Sequence, residues 1–153
     1  MKNFLKITAI IIAVLVVDLT TKHFLFNVEY FNLIPNVISI AGKVENTGAA
    51  WGIFSGKTIS LVMVSVLMII ALLIFNRFVK NKSMFYCIAF GFVLGGALGN
   101  LFDRIMLQYV RDFIFLDFMP KFPVFNMADS FLCVGAVMLA IHILFMSEKK
   151  DAK

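Results

Sequence analysis

Long apolar runs separated by polar clusters set the pattern of this chain. The first run, Ile7 to Val17, carries no charge and follows Lys2 and Lys6. At about 1.5 Å per residue it is too short for a hydrocarbon core of roughly 30 Å, so the helix must continue through Asp18 toward Phe26. No small-residue cleavage pattern occurs in Asp18-Leu19-Thr20-Thr21-Lys22, so the segment reads as a retained span and not as a removed secretory signal. Thr58 to Phe75 is almost uniformly Val, Leu, Ile and Met and is closed by Asn76-Arg77 and Lys80-Asn81-Lys82. Met84 to Phe102 carries Gly91, Gly95, Gly96 and Gly99, and the last run, Asn126 to Met146, ends in Ser147-Glu148-Lys149-Lys150. Uninterrupted apolar length of this kind predicts an all-α membrane protein with four transmembrane helices, at about residues 4–26, 58–75, 84–102 and 126–146. No internal repeat is visible, and residues 1–153 read as one integral membrane domain.

Two segments, about 27–57 and 103–125, fall together on one side of the membrane. The first contains Pro35-Asn36, the alternating Val37-Ile38-Ser39-Ile40, a turn signal at Gly42 and then Lys43-Val44-Glu45-Asn46, which predicts a short hairpin-like cap. The second has Pro120 and Pro123 just before the fourth span.

Composition agrees with this pattern. Hydrophobic residue types make up 61% of the 153 residues and charged types 15%, where about 25% charged is usual for a soluble domain. A soluble chain of about 150 residues hides only about 70% of its unfolded surface, so lipid is the simplest solvent for this one. Four spans of about 20 residues each also leave no room for a large soluble catalytic domain.

The net charge of +5 is scattered, with no basic stripe and no interleaved aromatic platform, which argues against nucleic acid as a partner. Charge instead reports topology. Lys2, Lys6, Arg77, Lys80, Lys82, Lys149, Lys150 and Lys153 gather on one side, and Lys22, Lys43, Lys57, Arg104, Arg111 and Lys121 on the other. The first set lies in short segments next to span ends, and the positive-inside rule then puts both termini in the cytoplasm. Asp18, Glu29, Glu45, Asp103, Asp112, Asp117 and Asp129 fall at or beyond the outer face, so the chemistry is expected there.

Cys87 and Cys133 lie at depths that differ by roughly 15 Å, beyond the reach of about 7 Å between Cα atoms that a disulfide needs. They read as small buried hydrophobes. With only His23 and His142 beside them, no Cys/His cluster of recognisable spacing is present, and neither metal nor cofactor is expected.

Polar groups at membrane depth cost several kcal/mol unless paired or wet, so each is a candidate for function. Asp18 and Lys22 stand at i and i+4 in the favourable order for a helical ion pair, and a structural role is at least as good a reading for them as a chemical one. Gly91, Gly95, Gly99 and Asp103 form one row along the third span, and Gly96, Asn100 and Arg104 a second beside it. The glycines suit close helix packing, and the polar residues bring hydrogen-bonding groups to the outer end of that contact. Asn126 and Asp129 have the spacing of an N-cap and an acid at N3. Asp112 could be neutralised by Arg111 or Arg104. Taken together, Asp112 and Asp129 are two carboxylates near the outer interface, able to share a proton and run acid and base chemistry. No nucleophile-elbow or S-x-x-K pattern supports a serine hydrolase built on Ser55, Lys57 or Ser130. A small cation or proton carrier using the same aspartates is the alternative from another class.

Five blocks carry a resemblance: Asp18-Leu19-Thr20-Thr21-Lys22, Asn46-Thr47-Gly48-Ala49-Ala50-Trp51-Gly52, Gly95 through Arg104, Val110-Arg111-Asp112-Phe113-Ile114, and Phe122 through Ser130. In this order and at these places they resemble the signature blocks of bacterial lipoprotein signal peptidases, the aspartic signal peptidase II family. Leu19 stands where that family often has Gln, and Trp51 where it usually has Phe. The resemblance implies a cytoplasmic-membrane peptidase, acting as a monomer, that cuts diacylglyceryl-modified prolipoproteins just before the lipidated cysteine. It implies Asp112 and Asp129 as the catalytic pair, with Asn46, Asn100, Arg104 and Asn126 holding substrate or orienting the pair. Asp18 and Asp103 become partners for Lys22 and Arg104, membrane lipid surrounds the spans, and the extramembrane part is a small β-cradle with a short helix.

Overall fold

The computed structural model describes residues 2–49 and 53–146. Trp51 and the basic residues Lys149, Lys150 and Lys153 lie outside them. Four helices long and apolar enough to cross a membrane run over α1 (Lys2–Leu25), α2 (Thr58–Phe78), α3 (Met84–Leu107) and α4 (Met127–Ile141), the last continuing into a π-helical turn, His142–Met146. Three strands, β1 (Phe31–Ile34), β2 (Ile38–Asn46) and β3 (Val110–Leu116), form one antiparallel sheet in that order.

α3 is the central post. Within its most apolar stretch 72% of residues are buried in the protein, against 6–22% for the other three helices, which turn most of their surface outward. Its glycines explain how the others reach it. A Cβ on Gly91 would meet Ile10, one on Gly95 would meet Val14 and one on Gly99 would meet the Asp18 carboxylate, so this row faces α1. Gly96 faces Ala128 and Leu132 of α4, and from the α4 side Gly135 sits against Ala89, Phe92 and Val93. Small residues at these points let backbones approach closely, which is the main source of association where lipid removes the hydrophobic drive between helices.

α3 outlasts its apolar run by one turn and ends at Gln108, whose left-handed conformation (φ 67°) caps it by donating its N–H to the Arg104 carbonyl. The chain then turns back as β3. The hairpin of β1 and β2 closes through Asn36, also left-handed at φ 60°. Gly42 is not the turn expected of it: it lies within β2, at φ 80°, where the β2–β3 register shifts between Ile40 and Val44. The glycine there forms a bulge. β3 itself was not evident from the sequence pattern. Outside the membrane, the described residues Ile53–Gly56 form turns.

The segment before α4 is tied to β3. Phe125 donates to the Ile114 carbonyl at 3.0 Å and its own carbonyl accepts from Ile114 at 2.8 Å. That short bridge decides where α4 begins relative to the sheet.

Candidate active site

Asp112 and Asn46 come together through strand register. Val44 is opposite Asp112, and Asn46 is two residues on, so its side chain lies on the same face as a diagonal neighbour. Its Nδ2 donates to Asp112 Oδ2 at 2.9 Å, while its Oδ1 accepts from the Gly48 backbone at 2.9 Å.

Asn126 approaches the same carboxylate from the other side. It is the N-cap of α4: its Oδ1 accepts from the Asp129 backbone N–H at 3.0 Å, and Asp129 Oδ2 accepts in return from the Asn126 backbone N–H at 3.2 Å. With its Oδ1 so engaged, Asn126 Nδ2 donates to Asp112 Oδ1 at 2.7 Å and to Asn100 Oδ1 at 3.1 Å. Asn100 closes the circuit by donating its Nδ2 to Asp129 Oδ1 at 2.7 Å. The two carboxylates are thus joined through side-chain amides.

Asp112 is 1% exposed. Burial pushes its carboxyl up to about 7, and the neighbouring Asp129 charge pushes the same way, against the hydrogen bonds from Asn46 and Asn126. Asp129 is half-buried and shares with Asp112, Asn46, Asn100 and Arg104 the wall of a cavity of about 380 Å³. A second cavity of about 210 Å³ shares Asn100, Arg104, Asp129 and Leu132 and extends along Leu61, Val64 and Met68 of α2. Polar chemistry therefore stands at one end of an apolar trough between helices.

Several expected pairings are otherwise. Asp103 binds Arg111, at 2.7 Å from Nη2, and Lys22, at 3.3 Å, in place of Arg104. Arg104 instead donates to the Gly48 carbonyl at 3.2 Å, tethering the loop after β2. Arg111 does not neutralise Asp112, because successive strand residues point to opposite faces. Asp18 does pair with Lys22, at 2.8 Å with both side chains fully buried, and its other oxygen accepts from the Ala128 backbone N–H at 2.9 Å. Cys87 and Cys133 are both free, but only Cys87 is buried; Cys133 is exposed and lines the larger cavity. The cavity wall formed by Phe122, Pro123, Val124 and Phe125 belongs to one of the five blocks, but no site role was read for these residues from the sequence. Among the described residues no group of three or more His, Cys, Asp and Glu side chains is arranged to hold a metal ion.

Comparison with known proteins gives this arrangement a context. Residues 10–145 match the family model described as signal peptidase (SPase) II. A lipoprotein signal peptidase of Clostridium acetobutylicum is 40% identical over 145 residues, covering 91% of this chain and 94% of that one. One from Staphylococcus aureus is 38% identical over 160 residues, covering 98% and 96%. A bacterial membrane enzyme solved by the in meso method at 2.3 Å resolution superposes with a TM-score of 0.81 at 33% identity, over 96% of this chain and 92% of that one. The match spans the five blocks and all four helices, and the chain belongs to the signal peptidase II family of membrane peptidases.

Proposed function

We propose that this peptidase removes the signal peptide from diacylglyceryl-modified prolipoproteins by cutting just before the lipidated cysteine, with Asp112 and Asp129 as an aspartic dyad. The observation that carries this reading is a pair of carboxylates on one cavity wall, bridged by amides and lying beside the apolar trough. Among the described residues neither carboxylate forms a direct ion pair. Asp112 titrating at about 7 is in keeping with one proton on the pair at neutral pH.

The steps follow from that shared proton. The ionised carboxylate takes a proton from water as the water oxygen attacks the scissile carbonyl carbon, and the protonated partner gives its proton to the carbonyl oxygen. The roles then reverse. The carboxyl that gained the water proton delivers it to the departing amine nitrogen as the C–N bond breaks, and the other recovers its proton as the carboxylic acid product forms. Asn46, Asn100 and Arg104 line the cavity with donors for the substrate backbone and for the pair, and the fully buried Asn126 orients the pair from behind by donating to Asp112. The trough along α2 takes the signal helix and the lipid tails. The enzyme acts as a monomer in the cytoplasmic membrane, with both termini inside and the dyad near the outer face.

The test is cleavage of a diacylglyceryl prolipoprotein in detergent, read by a mobility shift. Asp112→Asn and Asp129→Asn should each abolish it, and substantial residual cleavage in either would reject the dyad. Chelator should leave the wild-type rate unchanged, whereas a divalent-cation carrier would lose its function.

A further inference from the structure

Lys22 is a fully buried lysine near the outer end of a membrane helix, where an ammonium is costly unless its surroundings return the lost hydration. It has three partners, and only two are acids. Its Nζ lies 2.8 Å from Asp18 Oδ2 and 3.3 Å from Asp103 Oδ2, and it donates at 3.1 Å to Asn100 Oδ1. The third contact joins the ion cluster to the carboxylate pair.

An ammonium has only donors. It therefore forces the oxygen of Asn100 toward itself and leaves the Asn100 amide nitrogen to face Asp129, to which it donates at 2.7 Å. The same oxygen accepts from Asn126 Nδ2, which also holds Asp112. If Asn100 were turned over, its nitrogen would meet two donors and its oxygen a carboxylate. Lys22 thus acts with Asn126 and Asp129 to favour one of two amide orientations, and with it the arrangement in which both oxygens of Asp129 accept hydrogen bonds.

We propose that Lys22 is a positioning residue for the dyad, orienting Asn100 and placing a fixed positive charge behind the two carboxylates. The inference rests on the dyad reading. Of the hydrogen bonds and ion pairs of Lys22, the one to Asn100 leads to the pair. Asp18 on α1 also accepts from Ala128, and Asp103 on α3 is shared with Arg111 of β3. His23, Lys43, Tyr109 and Arg111 surround a separate small cavity beside Lys22, and Arg104 lines the cavity of the dyad.

Lys22→Met tests the charge, and the double variant Asp18→Asn with Lys22→Met tests it again without an orphaned carboxylate; Asn keeps an oxygen for the Ala128 N–H. The reading is kcat and KM across pH, beside thermal unfolding in detergent. Losing a nearby positive charge makes ionisation of the pair harder, so the acid limb of the profile should move to higher pH by about one unit, with lower kcat and unchanged KM. A folded variant whose profile is unmoved overturns the inference, as does failure of both variants to fold, which would make Lys22 part of the scaffold alone. The dyad variants run alongside keep the two readings apart: if they abolish cleavage and the Lys22 profile stays put, only this inference falls.

Discussion

Asn126 meets three demands at once: it caps α4, bridges to Asn100 and donates to Asp112. Asn126→Ala should therefore cost about 1 kcal/mol from the lost cap, measured as a lower unfolding temperature, and cleavage should fall far more than that loss of fold explains. Asn126→Asp keeps a capping oxygen but adds a charge facing Asp112, so it should stay folded and lose activity. Asp112 sets a pH dependence of known sign. Its carboxyl is raised from 3.8 to about 7 in the folded chain, so folding favours the protonated form. That contribution is complete below about pH 4, declines as pH rises to about 7 and is absent above. Thermal unfolding in detergent should show this fall, and Asp112→Asn should remove most of it; an unchanged slope in the variant would contradict the assignment. Both aspartates stood out in the sequence because a carboxylate among apolar neighbours needs a reason. Their amide partners stood out as polar residues, Asn126 also as a helix cap, and only the resemblance tied them to the pair, since an asparagine's orientation depends on groups distant in sequence.

At the scale of elements, α1 and α3 run parallel and in step. Ile10 is opposite Gly91, Val14 opposite Gly95, Asp18 opposite Gly99 and Lys22 opposite Asp103, a constant offset along the two chains. The glycine row was legible as a packing face, and the structure adds which helix each row receives. The glycines share a consequence. In Gly96→Ala the new Cβ would meet the Ala128 backbone carbonyl at 2.5 Å, and in Gly91→Ala it would meet Ile10 at 2.6 Å from Cγ2 and 2.8 Å from Cβ, an atom that side-chain rotation does not move. Each should cost about 1–3 kcal/mol, as overpacking does, and Gly96→Ala should also disturb the first turn of α4. An unchanged unfolding temperature in either variant would refute the close contact. β3 escaped the sequence reading because its alternation, Val110-Arg111-Asp112-Phe113, is short and its partner β2 lies across a helix pair.

The whole molecule is a bundle centred on α3 with a sheet at one end, and its polar network is where bundle and sheet meet. Topology is tested at this scale. In a protein lacking Cys87 and Cys133, single cysteines at Lys43 and Lys80 should react with an impermeant maleimide from opposite sides of the membrane, Lys43 from outside. Labelling from the same side would overturn the orientation. The apolar runs alone determined four membrane helices and their order, because a bilayer demands length and hydrophobicity that few other environments require. Local spacing likewise determined the α4 cap and the Asp18–Lys22 pair, which are interactions within one or two helical turns. Only the tertiary structure decided that Asp103 serves Lys22 and Arg111, that Arg104 holds the Gly48 loop, that Asn46 holds Asp112, and that Asn126 and Asn100 link Asp112 to Asp129. These contacts join residues from different elements, and their geometry depends on strand register and helix approach, quantities that no local pattern of apolar and polar residues encodes.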